Sequence, residues 1–169
     1  VTHIGSYAFK ECTGLTSIEI PNNVTEIGKK AFKGCSSLMS VVWNAIECTY
    51  YDVKYIEDLP FENQITSFVF GDSVEGIIEY LCYGMDKLTS ISIPNSVTSI
   101  GNNVFEGCTG LLSVEIGKGV SEIGDEAFKD CSSLASVKWN AKNCNDFSSE
   151  EIPFATNPIT SFTFGDDVE

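Results

Sequence analysis

The stretch Ile27-Gly28-Lys29-Lys30-Ala31-Phe32-Lys33-Gly34-Cys35-Ser36-Ser37-Leu38, continued by Ser40-Val41-Val42-Trp43, recurs in variant form along the whole chain. Cys12 and Cys35, and again Cys108 and Cys131, lie 23 residues apart. The pairs Phe9/Phe32, Phe105/Phe128, Leu15/Leu38 and Leu111/Leu134 keep that interval. The strand-like positions Ile18, Val41, Phe68, Ile91, Val114, Val137 and Phe162 extend it, with spacings of 23, 27, 23, 23, 23 and 25. A period of this length is that of a solenoid, whose unit cannot bury its apolar face alone and stacks on its neighbours.

A longer period lies over the short one. Trp43-Asn44-Ala45 and Cys48 return 96 residues later as Trp139-Asn140-Ala141 and Cys144. Ile65-Thr66-Ser67-Phe68 returns as Ile159-Thr160-Ser161-Phe162. The 169 residues therefore read as one continuous solenoid over 1–169, about seven turns in two near-copies of a four-turn block. Val1 and Val168 share the phase of Val24 and Val74, and the chain opens without Met. It is expected to be a section of a longer array, with end rungs open to end-to-end self-association.

Each repeat has three phases. Ile27, Ala31, Phe32, Cys35 and Leu38 recur at helical intervals, which predicts about two helical or 3₁₀ turns. Gly5, Gly28, Gly101 and Gly124 precede them, predicting a special backbone angle. Alternating runs such as Ser17-Ile18-Glu19-Ile20 and Ser136-Val137-Lys138-Trp139 predict a strand with one face in the core. Val24-Thr25-Glu26-Ile27 reads as a second, shorter extended segment. Asn44 to Asn63 and Asn140 to Pro158 are insertions, and Glu75 to Asp86 lacks the glycine and Ala-Phe signature.

The formal charge is −14, with ten lysines and no arginine. That balance excludes a nucleic-acid binder, which needs a basic footprint, and disfavours an anionic membrane surface. No run is long enough to span a bilayer. The seven cysteines mostly share one repeat position, where Met85 also stands, so a buried thiol column is favoured over rung-to-rung disulfides. His3 is the only histidine, and no Cys-x-x-Cys, Cys–His or Ser–His–Asp arrangement supplies a metal site or a nucleophile. The chain reads as no enzyme, with no cofactor.

Two outward columns run along the strands. Ser17, Ser40, Ser67, Ser90, Ser113, Ser136 and Ser161 form an invariant column, suited to hydrogen bonding between rungs. The second column, Glu19, Val42, Val69, Ser92, Glu115, Lys138 and Thr163, varies and is the better recognition candidate. Tyr50, Tyr51 and Tyr55 of the first insertion read either as an exposed aromatic patch for a protein or glycan, or as packing over the solenoid edge. Asp52/Glu57/Asp58 and Asp146/Glu150/Glu151 lack the ordered spacing of a calcium loop and read as a solvated acidic face.

The pattern Ile-Gly-x-x-Ala-Phe-x-x-Cys-x-x-Leu-x-Ser-Ile-x-Ile-Pro, matched at Ile4 to Pro21, Ile27 to Val41, Ile100 to Ile116 and Ile123 to Val137, resembles the BspA-like (Treponema pallidum type) leucine-rich repeat family. The resemblance implies a right-handed, curved leucine-rich-repeat solenoid of α/β class. Such a solenoid is β-rich, with one short parallel strand per turn and short helical or 3₁₀ segments on its convex side. It further implies a cell-surface or secreted module that adheres to an extracellular protein or glycan through its concave face and insertion loops. A structural spacer or stalk, or a targeting module of a larger carbohydrate-active enzyme, is the alternative.

Overall fold

The computed structural model describes residues 1–144, 146–147, 153–154 and 156–166. The chain winds as a parallel β-solenoid of about seven rungs, each built from a short strand, a turn segment and a longer strand. Rung 1 carries β1 (His3–Ile4) and β2 (Ser17–Ile20), rung 2 carries β3 (Glu26–Gly28) and β4 (Ser40–Trp43), and rung 3 carries β5 (Thr49–Tyr51) and β6 (Ser67–Phe70). Rung 4 has β7 (Gly76–Ile77) and β8 (Ser90–Ser92), and rung 5 has β9 (Ser99–Ile100) and β10 (Ser113–Ile116). Rung 6 has β11 (Glu122–Ile123) and β12 (Ser136–Trp139), and rung 7 has β13 (Asp146–Phe147) and β14 (Ser161–Phe164). Sequence period becomes ladder register: Ser17 pairs Ser40, Ile20 pairs Trp43, and Glu115 pairs Lys138, all in parallel.

Three expectations are corrected here. Both extended segments of a rung pair with their neighbours, so there are two strands per turn rather than one. The short strands hold because Ile4, Ile27, Ile77, Ile100 and Ile123 are buried beneath them, which fixes their register.

The turn segments are not helical; among the described residues the one helix is a 3₁₀ turn over Ile56–Asp58 in the first insertion. Ala31 N–H donates to Gly28 O and Cys35 N–H to Phe32 O, both at 3.2 Å, while the Lys29, Ala31 and Lys33 carbonyls serve the neighbouring rung. Phe9 N–H thus reaches Ala31 O at 2.8 Å and Glu11 N–H reaches Lys33 O at 2.7 Å. Lys30 (φ 51) and Gly34 (φ 74) lie in the left-handed region, as do Asn103 (φ 55) and Gly107 (φ 72). A positive φ at the third residue of each turn is the type II arrangement. Consecutive turns of four residues space apolar side chains much as a helix does.

The glycines of the Ile-Gly step do not take a positive φ. Rungs approach too closely there for a side chain: a Cβ on Gly28 would lie 2.4 Å from Ser6 N, and one on Gly101 2.6 Å from Glu79 N. Backbone contact, not backbone angle, selects glycine.

The core is one continuous cluster in which Ile20, Trp43, Phe70, Ile93, Ile116 and Trp139 point inward. Phe164, of the same column, is exposed on the last rung. Phe9, Phe32 and Phe61 stack at 5.0 and 4.9 Å, and Phe105, Phe128 and Phe154 at 5.1 and 4.9 Å. Such pairs add about 0.5–1.5 kcal/mol each beyond area burial. The insertions re-enter the ladder at Pro60-Phe61 and Pro153-Phe154, where Ala-Phe stands elsewhere, and Phe32 N–H donates to Pro60 O at 2.9 Å. Cys82 interrupts the stack in rung 4.

Strand pairing also stops there. The short strands form one sheet of β1, β3 and β5 and another of β7, β9, β11 and β13; the long strands divide into β2-β4-β6 and β8-β10-β12-β14. Both breaks fall between rungs 3 and 4.

Candidate functional site

The long strands present the two outward columns side by side. Among the described residues no side-chain hydrogen bond joins the column serines, so the expected serine ladder is not formed. A hydroxyl ladder runs instead ahead of the short strands. There Thr25 Oγ1 donates to Thr2 O, Thr49 Oγ1 to Thr25 O, Thr98 Oγ1 to Glu75 O and Ser121 Oγ to Thr98 O, at 3.1–3.3 Å.

In the variable column Glu19, Ser92, Lys138, Thr163 and Val69 are exposed, while Val42 and Glu115 are half-buried. Lys138 Nζ lies 2.8 Å from Glu115 Oε1, and this ammonium, followed by the Asn140 amide, draws the Glu115 carboxyl below its ordinary range. Asn140 Nδ2 donates to Glu115 Oε1 at 3.1 Å, as Asn44 Nδ2 does to Glu19 Oε1 at 2.9 Å. Each asparagine also fills the space over a glycine of the next rung: a Cβ on Gly71 would meet Asn44 Oδ1 at 2.1 Å, and one on Gly165 would meet Asn140 Oδ1 at 2.2 Å. Trp-Asn-Ala and Gly-Asp thus recur together because one packs on the other. Glu19 and Glu115 brace the rungs as well as facing solvent. Val69, 50% exposed, has no such internal task.

The three tyrosines of the first insertion divide. Tyr50 packs against the core edge, its hydroxyl donates to Glu79 O at 2.8 Å, and burial pushes its phenol well above the ordinary value. Tyr51 and Tyr55 are 58% and 65% exposed, beside exposed Ile56. Asp58 departs from the solvated acidic face expected of it. It is 2% exposed, and its Oδ1 lies 2.9 Å from Lys29 Nζ and 3.3 Å from Lys30 Nζ. The Lys29 contact chiefly holds its carboxyl below the usual range. Asp58 fastens the insertion to rung 2. In the second insertion Glu150 and Glu151 lie outside the described residues. Among the described residues no group of three or more His, Cys, Asp or Glu side chains is placed to hold a metal ion, and no helix is long and apolar enough to cross a membrane.

The described cysteines are free thiols, five of them buried. Their column has a chemistry that the sequence reading missed. Cys35 Sγ donates to Phe9 O at 3.0 Å, Cys108 Sγ to Cys82 O at 3.2 Å and Cys131 Sγ to Phe105 O at 3.1 Å. In the insertion-bearing rungs the same place holds Gln64 and Asn157, whose amides donate to Cys35 O at 2.9 Å and Phe128 O at 3.1 Å. Cys35, Gln64, Cys108, Cys131 and Asn157 thus each donate a hydrogen bond from this column, while Met85 fills it with a side chain that has no donor. The signal lay three residues after each Pro-Phe.

Two hollows adjoin at the break between rungs 3 and 4. One, of about 950 Å³, runs from Thr49 and Tyr50 across Gly76–Glu79 to Gly124. The other, of about 380 Å³, lies among Tyr50, Tyr55, Tyr80, Glu57 and Glu79.

The family model for the BspA type leucine rich repeat region, six copies, matches residues 1–56 and 54–169. The chain belongs to the BspA type leucine rich repeat family. Its repeats carry the leucine-rich-repeat solenoid common to proteins that generally serve protein interaction. No curated protein matches the chain. Among solved structures it is similar to the T. pallidum leucine rich repeat protein TpLRR, with 24% identity, a TM-score of 0.52, and 96% of this chain and 63% of that one covered. It is similar also to a leucine-rich repeat protein from Bacteroides ovatus, with 22% identity, a TM-score of 0.62, and 97% and 45% covered. The pneumococcal vaccine antigen PcpA matches with 20% identity, a TM-score of 0.62, and 90% and 36% covered. At these identities the likeness is one of fold. The chain spans less than two thirds of the length of each of these three proteins.

Proposed function

We propose that this BspA type repeat unit is a non-catalytic adhesion or interaction module of a cell-surface or secreted protein. It engages an extracellular protein or glycan through the long-strand face and the exposed tyrosines of the first insertion. The observation that carries this reading is the variable column. Its neighbours Ser17, Ser40, Ser67, Ser90, Ser113, Ser136 and Ser161 stay serine, while the column itself runs Glu19, Val42, Val69, Ser92, Glu115, Lys138 and Thr163. Two parallel ladders, one through Glu19, Val42 and Val69 and one through Ser92, Glu115, Lys138 and Thr163, hold those side chains at strand spacing, about 4.8 Å apart from rung to rung within each, which presents an extended and specific surface. Tyr51, in β5, and Tyr55, just after it, add rigid aromatic area with polar tips on the short-strand side.

The test is surface plasmon resonance of the purified chain over immobilised extracellular-matrix proteins and glycans. It is run beside a variant carrying Val69→Glu, Lys138→Glu, Tyr51→Ala and Tyr55→Ala. Saturable binding weakened roughly tenfold or more in the variant is the expected result. Equal binding by the variant moves recognition off this face. A folded chain silent across the panel favours the spacer role.

A further inference from the structure

We infer that the break between rungs 3 and 4 is a docking groove for an extended, cationic polypeptide segment of a partner protein. The site lies on the short-strand side and stands apart from the long-strand face.

The short-strand sheet has an unmatched edge at this level. Glu75 N–H and Gly76 N–H both donate to Ile46 O, at 3.1 and 3.4 Å, but beyond that anchor β7 pairs with β9 alone and β5 with β3 alone, so two parallel edges face one another without a ladder between them. The turn segments part at the same level. Phe32 N–H donates to Pro60 O and Phe105 N–H to Ala127 O, but among the described residues no such bond runs from Phe61 to Leu81. Open edges recruit extended chains because the main-chain hydrogen bonds are already oriented. The groove, about 950 Å³, opens between these edges, with Thr49 and Tyr50 on one side and Gly76, Ile77 and Ile78 on the other, and continues over β9 and β11 to Gly124. Gly76 leaves the floor open, since a Cβ there meets nothing nearer than Ser99 Oγ at 3.4 Å.

The groove is also acidic. Glu47, Glu79 and Glu122 line this groove without any lysine. The adjoining hollow adds Glu57 and the rings of Tyr55 and Tyr80, with Lys54 its single cation, and Lys54 is itself 3.8 Å from Asp52. Carboxylates beside aromatic faces favour an ammonium or guanidinium through ion pairing and cation–π attraction. The shared wall of Tyr50, Val53 and Glu79 joins the two hollows. A strand in the groove therefore directs basic side chains toward the tyrosine pocket.

The test is fluorescence anisotropy of a labelled peptide of alternating lysine and valine with the intact chain, at low and high salt. Three controls accompany it: a serine-for-lysine peptide, the lysine peptide N-methylated on alternate backbone amides, and a long-strand variant that carries Val69→Glu and Lys138→Glu alone. Binding is expected for the lysine peptide, weakened by salt. It should fall roughly tenfold in a Glu47→Gln, Glu79→Gln, Glu122→Gln triple variant, as three exposed ion pairs require. The N-methylated peptide should not bind, and the long-strand variant should bind as the parent does. No binding at low salt overturns the inference. So does undiminished binding of the N-methylated peptide, which marks mere charge adsorption, or undiminished binding by the triple variant. Loss in the long-strand variant alone places the contact on the other face and also overturns it.

Discussion

The Tyr50 hydroxyl donates to the Glu79 carbonyl oxygen at 2.8 Å, in the place of a backbone group. The residues equivalent to Glu79 are Lys29, Asn102 and Asp125, and their carbonyls accept the N–H groups of Tyr7, Tyr80 and Asn103. Rung 3 loses that N–H to its insertion, and a side chain restores the bond across the break.

Tyr50→Phe keeps the packing and removes the donor, leaving Glu79 O without this partner. The expected loss is about 1 kcal/mol, read as a lowered urea midpoint with an unchanged slope. Tyr50→Ala should cost more, since it also opens a cavity at the core edge. An unchanged midpoint in Tyr50→Phe would show that water replaces the hydroxyl without penalty.

The cysteines predict an alkaline limit on stability. Burial pushes the Cys48 and Cys131 thiols up to about 12 from an ordinary 9.0. The unfolded chain releases these protons first, so it binds fewer protons than the native state above that ordinary value. Stability is thus full below about 9 and declines as pH rises toward 12, by about 1.4 kcal/mol per pH unit for each such thiol. Urea titrations across that window should show the fall, and Cys131→Ala should flatten it while lowering stability at neutral pH. A thiol reagent under native, mildly alkaline conditions should label exposed Cys12 rapidly and the buried Cys35, Cys82 and Cys108 only on unfolding.

Asp58 predicts the opposite dependence at the acid end. Its carboxyl is held below the ordinary 3.8 by Lys29 first and Lys30 after it. A depressed carboxylate contributes stability above its unfolded value, and that contribution disappears as pH falls through the folded value. Asp58→Asn should therefore lower the urea midpoint at neutral pH, and the gap to the parent chain should close under strong acid. A gap that persists undiminished in acid would assign the defect to packing instead.

How legible the sequence is depends on which physical cause sets each pattern. The strand columns were readable because period-two alternation has one common source, a face turned to the core, and Ile20, Trp43 and Ile116 are buried accordingly. The turn segment misled because Ala31, Phe32, Cys35 and Leu38 repeat at three- and four-residue steps in a string of β-turns as they would in a helix. Hydrogen bonds from one rung to the next decide between the two, and they are not written locally. The tyrosines of the insertion could not be sorted either. Tyr50 is fixed by a carbonyl 29 residues away, while Tyr51 faces outward beside it. Asp58 was hidden for the same reason, its lysines lying in the preceding rung.

Gly5 and Gly28 occupy one repeat position but meet different surroundings, which separates backbone freedom from close approach as the reason for glycine. A Cβ on Gly28 would fall 2.4 Å from Ser6 N and 2.6 Å from Gly5 C, backbone atoms of a packed rung that cannot swing aside. A Cβ on Gly5 would meet nothing within 4 Å. Neither residue has a positive φ, so alanine strains neither backbone. Gly28→Ala should then cost about 1–3 kcal/mol through forced separation of rungs 1 and 2. Gly5→Ala should be neutral, or stabilising by up to about 1 kcal/mol, because it reduces the freedom of the unfolded chain. Thermal melts of the two variants beside the parent chain make the comparison. Equal losses at both positions would return the explanation to backbone angle; a loss at Gly28 alone assigns it to the contact between rungs.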